Sequence, residues 1–286
     1  MMAKSPEGEV ALRDSKARFH SYLHGGTSSL LSTLIVFPVY KTVFRQQIHN
    51  IQVHQAVEQL HKEGLLKLYR GVTPPLLMRT LNGTLLFGLQ DTFLRLLSGP
   101  SIIPQSFLPA VAGLGVGLVE AVVFTPLERV QNVLQSGHND RRLPTLKSVL
   151  VKLKAQRLSS GYYRAFLPVA ARNSLGSGLY FGLKGPLGAA VAGQGLSPLA
   201  SSFVSGTLTS MAISLSLYPL SVLVANMQVG VQAEAKGVTA CWRMLWRSRE
   251  RSVVLLYRGG ALVVLRSCIT WGITTAIYDR QQKRSG

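Results

Sequence analysis

Charge is scarce in this chain, and acid is the scarcer sign. Only 15% of its 286 residues are charged, with 12 Asp and Glu against 31 Lys and Arg, a formal net charge of +19. Soluble domains carry about 25% charged residues. Cysteine is nearly missing: Cys241 and Cys268 are the two, too few to staple a chain of this length, which excludes a disulfide scaffold. The low hydrophobicity that disorder requires is absent, because 47% of residues are hydrophobic. Nor is there a nucleophile paired with a base or a glycine-rich phosphate loop. The six histidines are scattered; only His20 and His24 have i, i+4 spacing, with no third ligand in view. No enzyme activity, cofactor or metal centre is expected. A basic nucleic-acid binder would concentrate its charge on a soluble domain, whereas here long uncharged runs separate basic patches. An integral membrane protein is what remains.

Residues 19–40, 96–119 and 185–233 contain no Asp, Glu, Lys or Arg. About 20 apolar residues cross a bilayer as a helix. The first two runs fit one helix each, and the third fits the end of one, a loop and a second. Further apolar stretches at 72–97, 165–187 and 259–279 are each broken by one arginine near the start. These give six candidate spans, threaded with Ser, Thr and Gly that suit contacts between helices or a water-filled cavity. The first 18 residues fit neither a secretory signal nor a transit peptide, since Glu7, Glu9 and Asp14 interrupt the basic residues.

An internal repeat fixes the plan. Tyr69-Arg70-Gly71 recurs as Tyr163-Arg164-Ala165 and Tyr257-Arg258-Gly259, at an interval of 94 residues both times. Upstream of each lies a proline with a glutamine nine positions later: Pro38 and Gln47, Pro126 and Gln135, Pro219 and Gln228. Thirteen residues before each proline is a glycine (Gly25, Gly113, Gly206), and nine before it a small residue (Ser29, Gly117, Ser210). Each unit therefore reads as helix, short amphipathic helix, helix. Small-xxx-small pairs let membrane helices approach closely, the prolines kink the odd-numbered helices, and the segments 51–63, 144–156 and 238–250 suit helices lying at a membrane surface. The fold class is an all-α membrane protein of six transmembrane helices in three pseudo-threefold repeats. A tail over 1–18 precedes repeats at 19–99, 100–193 and 194–286.

The tripartite plan, the Pro-x8-Gln kink and the aromatic-Arg-Gly element resemble the mitochondrial carrier family over essentially the whole chain. The second unit carries the kink motif almost intact, in Pro126-Leu127-Glu128-Arg129-Val130-Gln131. Phe44-Arg45-Gln46-Gln47, Phe181-Gly182-Leu183 and Trp271-Gly272-Ile273 are most similar to the branch that contains the mitochondrial NAD carriers. The segments following the odd helices hold 19 of the 31 basic residues. The resemblance implies that this side is the matrix, in the mitochondrial inner membrane, with both termini toward the intermembrane space.

Arg79, Arg172 and Arg266 are the basic residues left within spans, one per repeat, nine or ten residues after the repeat tyrosines. A mid-bilayer arginine costs roughly 2.5–3.5 kcal/mol on insertion scales and faces a cavity or a partner. Three at similar depth would converge on the pseudo-threefold axis. With Glu120 the single acid inside an odd helix above its kink, the balance favours a solute carrying about two negative charges. A guanidinium fork holds phosphate or carboxylate with two hydrogen bonds. The resemblance places Arg172, its neighbour Asn173, and Arg266 at substrate contact positions, with Arg79 one residue off that register.

Alternating access requires the cavity to close at each end in turn. The family pairs an acid two residues after each kink proline with a base five after the next. Here those positions read Tyr40, Glu128 and Ser221, against Val43, Gln131 and Val224. No such ion pair forms, which leaves closure by hydrogen bonds from Gln47, Gln135 and Gln228. At the opposite gate, Asp91 and Tyr278-Asp279 keep part of the family's pattern without a base in register. The resemblance further implies cardiolipin and other membrane lipid at Arg70-Gly71, Arg164 and Arg258-Gly259. The expected protein is a monomeric carrier of an anionic metabolite, with NAD or a related nucleotide as a candidate. A non-transporting membrane protein of the same fold is the alternative.

Overall fold

The computed structural model describes residues 31–98, 104–139, 142–231 and 237–285; Gly25, Ser29, His20 and His24 lie outside them. Among the described residues the regular structure is entirely helical. The first repeat contains α1 (31–49), α2 (Val53–Glu63), α3 (Leu65–Leu68) and α4 (Thr73–Leu97). The second contains α5 (Leu108–Gln135), α6 (Leu146–Lys154) and α7 (Phe166–Ala192). The third contains α8 (Pro198–Ser216), α9 (Tyr218–Val229), α10 (Val238–Ser248), α11 (Val253–Leu256) and α12 (Gly260–Ser285).

The short helices α2, α6 and α10 fall on the three segments read as amphipathic. Each buries one narrow face, Ala56 and Leu60, Val149 and Leu153, or Cys241 and Leu245, and turns basic residues outward, as a helix of this periodicity does. Val149 and Leu153 pack on Val130, Val133 and Leu134 of α5, while Cys241 and Leu245 pack on Val222, Leu223 and Met227 of α9. The apolar core therefore lies where these helices dock on the odd-helix ends.

Along the long helices small residues set the spacing. Gly113 and Gly117 face α7 so closely that a Cβ on Gly113 would stand 2.6 Å from the Ser177 carbonyl oxygen, and one on Gly117 would overlap the Asn173–Ser174 backbone. The opposite face of α5, with Leu114, Leu118 and Val122 at helical spacing, is exposed and apolar, as a lipid-facing stripe would be. The third repeat replaces the glycine contact with a polar one: the hydroxyls of Ser210 on α8 and Ser267 on α12 lie 3.2 Å apart.

Two expectations gain detail. The prolines were expected to kink all three odd helices; α1 and α5 remain continuous helices through Pro38 and Pro126. Only the third repeat breaks, at Leu217, with a 60° bend between α8 and α9 beside Pro219. In α5 the carbonyl of Val122, which the ring of Pro126 deprives of its helical donor, accepts the Tyr163 hydroxyl at 3.0 Å. That bond satisfies the freed acceptor. The other repeat tyrosines also pack at the kink: Tyr69 stacks on Phe37 and Tyr257 on Tyr218, the residues just before Pro38 and Pro219.

Six spans were expected. Among the described residues, Leu108–Gln135 and Val253–Thr270 are long and apolar enough to cross a bilayer, and the bent pair Ala200–Ser216 with Tyr218–Val229 makes a third. The helices α4 and α7 have the length, at 25 and 27 residues, but Arg79, Asp91 and Arg95, or Arg172 and Lys184, dilute their apolar character. Helices whose polar residues face one another or a cavity read this way.

Candidate functional site

Tyr40, Glu128, Arg172, Ser221, Arg266 and Gln47 line one cavity of about 120 Å³, drawn from α1, α5, α7, α9 and α12. All three repeats contribute to it. Arg172 and Arg266, which the sequence placed at equivalent depth, meet there. The Arg172 guanidinium donates from both Nη atoms to the two Glu128 carboxylate oxygens, each at 2.7 Å. It donates also to Asn173 Oδ1, from Nε at 3.2 Å and Nη2 at 3.0 Å. Arg266 lies over the Tyr40 ring, 5.4 Å from its centroid, within the range of a cation–π contact. Arg79 on α4, expected to converge with them, does not line the cavity.

The structure relocates two acids. Glu128, expected at the gate with no base in register on the next odd helix, pairs with Arg172 of its own repeat. Glu120, expected beside the solute, is buried between α5 and α7, where its carboxylate accepts the Ser177 hydroxyl at 2.9 Å. The cause is helical phase: Gly113, Gly117 and Glu120 recur at spacings of four and three, so all three sit on the stripe facing α7. Glu120 therefore lies outside the cavity.

Below the cavity the repeats are tied together mainly by donors reaching backbone carbonyls. Arg70 donates to the Leu143 carbonyl, Arg164 to that of Gly230 at 3.2 Å, and Arg258 to that of Asn50 at 2.6 Å. Repeat one thus reaches two, two reaches three, and three reaches one. The same arginines were expected to take lipid headgroups; each donates one bond to this ring. Arg129 adds a bond to Gly230 O at 2.7 Å, Arg249 one to Gln47 O at 2.6 Å, and Asn226 one to Gln47 O at 3.0 Å. Burial pulls the pKa of Arg70, Arg164 and Arg249 below the ordinary guanidinium range, consistent with donors held out of water.

The three glutamines behave unequally. Gln228 accepts from Asn132 at 2.7 Å, joining repeats two and three, and Gln47 meets the Tyr218 hydroxyl. Gln131 and Gln135 are buried in α5; among the described residues the amide of Gln135 and the Nε2 of Gln131 have no hydrogen-bond partner. At the other end, exposed Asp91 pairs with Arg95 at 2.8 Å. The side chains of Tyr278, Asp279 and Trp271 lie outside the described ones. Among the described residues no group of His, Cys, Asp and Glu could hold a metal ion.

The description "Mitochondrial carrier protein" matches residues 15–101 and 196–285, the first and third repeats. Human solute carrier family 25 member 53 is 49% identical over 280 residues, 94% of this chain and 90% of that protein. Two human mitochondrial nicotinamide adenine dinucleotide transporters are each 33% identical over 260 residues, 90% of this chain and 87% of theirs. The chain belongs to the mitochondrial carrier family. It is a multi-pass mitochondrial membrane protein of a transporter family, and not an enzyme.

Sequence reasoning missed two partners in this carrier's cavity. Tyr40 and Ser221 read as acids that had been lost, though their position two residues after a proline was the signal that they line the site. The carbonyl ring was missed because every residue carries the acceptor, so no residue type marks it.

Proposed function

We propose that this carrier moves an anionic metabolite, NAD or a related nucleotide, across the inner membrane by alternating access. Arg172 and Arg266 anchor its negative groups, Arg79 supplies further positive charge above them, and Asn173 orients Arg172. The single observation that carries this reading is the meeting of guanidiniums from two repeats in one cavity lined by all three. Glu120 acts indirectly, by holding the α5–α7 crossing through Ser177. The chain functions as a monomer of six spans with both termini toward the intermembrane space. The glycines of the aromatic-Arg-Gly elements, Gly71 and Gly259, open the even helices to cardiolipin headgroups. An apolar groove of about 520 Å³ lined by Val53, Val57, Leu60 and Leu262 offers room for acyl chains beside Gly259.

The test is uptake by purified protein in liposomes of labelled NAD, nucleotides and dicarboxylates. Uptake of one class, lost in Arg172→Ala and Arg266→Ala, is expected; uptake unchanged by both variants would overturn the site. The second reading, a carrier-fold protein without transport, is favoured by the absence of the family's acid–base pairs from the kink positions. It predicts no uptake of any solute by protein that remains folded.

A further inference from the structure

We propose that the anion site and the closure at this end of the cavity share the same guanidiniums, so that a solute enters by displacing residues of the carrier itself. The idea rests on the anion-carrier reading and deepens it by naming what the solute must replace.

The residue two positions after each kink proline is the organising element. In the first repeat it is Tyr40, whose ring lies under Arg266. In the second it is Glu128, whose carboxylate grips Arg172 through two bonds of 2.7 Å. In the third it is Ser221, on the wall of the same cavity. None of these engages a base five residues after another proline, because Val43, Gln131 and Val224 stand there. The contacts run instead to the arginines of the even helices. Tyr40 to Arg266 joins repeat one to repeat three, and Glu128 to Arg172 joins the odd and even helices of repeat two.

A guanidinium has two bidentate edges and one pair of faces for an aromatic ring; in Arg172 the Nη1–Nη2 edge holds Glu128 and the Nε–Nη2 edge holds Asn173 Oδ1. A phosphate or carboxylate that takes the Nη1–Nη2 edge therefore excludes Glu128, and that contact with solute releases one contact that holds the helices together. The pair is mostly shielded, with side-chain exposures of 19% and 15%, so water replaces either partner only in part when the other leaves. Solutes able to make the exchange carry a group that accepts two parallel hydrogen bonds: a pyrophosphate, a phosphate monoester or a carboxylate. A cationic solute would have to take Glu128 instead, which adds positive charge beside Arg172 and Arg266. The carrier's affinity is also lowered by the fraction of molecules in which Glu128 holds the fork.

The experiment uses the full-length purified carrier with pyrophosphate, NAD and malate as probes, read by thermal unfolding and by uptake in liposomes. Glu128→Gln should lower the unfolding temperature without probe, yet bind the stabilising probe at least about tenfold more tightly, because the competitor is gone. Its uptake should also lose dependence on solute inside the vesicle. Tyr40→Leu should shift affinity the same way through Arg266 and serves if Glu128→Gln does not fold. The exchange Glu128→Arg with Arg172→Glu should restore the probe-free unfolding temperature while abolishing anion binding. A merely structural pair predicts lower stability with unchanged or weaker affinity in Glu128→Gln, and that result overturns the shared-site proposal alone. Failure of every probe to stabilise or enter with either wild type or Glu128→Gln overturns the anion-carrier reading as well.

Discussion

Arg172 makes four hydrogen bonds to two neighbours, and its loss would leave the mostly shielded Glu128 without a counter-charge. Removing one partner of a buried pair costs about 3–5 kcal/mol, so Arg172→Ala is expected to lower stability as well as uptake. Arg266→Ala removes a cation–π contact worth about 0.5–2 kcal/mol and should affect uptake far more than unfolding temperature. Comparing the two melts separates pairing from solute contact. Backbone geometry supplies a second residue-scale prediction. Gly71, Ala165 and Gly259, the third residues of the three aromatic-Arg-Gly elements, all have positive φ, at 85°, 64° and 103°. Gly259 also lies against the Tyr218 hydroxyl, where a Cβ would overlap. Gly259→Ala should therefore destabilise by about 1–3 kcal/mol. Ala165→Gly should be close to neutral, since relief of the left-handed strain is offset by lost burial in the cluster around Tyr218 and Val222. Thermal melts of the two variants check the contrast.

At the scale of elements, the crossing of α5 on α7 depends on glycine having no side chain. Gly117→Leu would drive a side chain into the Asn173–Ser174 backbone, separate the helices and move Asn173 away from its place beside Arg172. Loss of folded protein, or a large fall in unfolding temperature, is expected. The tyrosine bond to the freed proline carbonyl is a milder element-scale device. Tyr163→Phe leaves the Val122 carbonyl unsatisfied, a cost of about 1–3 kcal/mol if it is out of water. Much of this scale was legible in sequence. The amphipathic segments were placed to within a few residues of α2, α6 and α10, because their apolar periodicity is local and strong. The bend at Pro219 was expected with two others, but that it alone breaks a helix was not legible, because the effect of a proline depends on the packing around it.

For the whole molecule, the arginines of the repeated Tyr-Arg elements each reach a carbonyl of the following repeat, and the third closes back on the first. A charged donor on a carbonyl is worth about 1.5–3 kcal/mol. Arg70→Gln, Arg164→Gln and Arg258→Gln are each expected to reduce stability by that order. If the ring closes the carrier, the three substitutions should also raise solute leak through liposomes. A uniform loss of stability with no leak would assign the ring to folding alone.

The sequence by itself determined the recurring motifs, the helical content, the short amphipathic helices and two of the three arginines expected at the cavity, Arg172 and Arg266, because periodicity and the scarcity of charge in apolar runs are written residue by residue. Tertiary structure alone decided which acid meets which arginine, moving Glu120 to a helix interface and giving Glu128 to Arg172. It alone decided that the repeats are joined by guanidiniums on carbonyls. Both depend on the rotation and separation of packed helices, and on acceptors that every peptide unit carries alike.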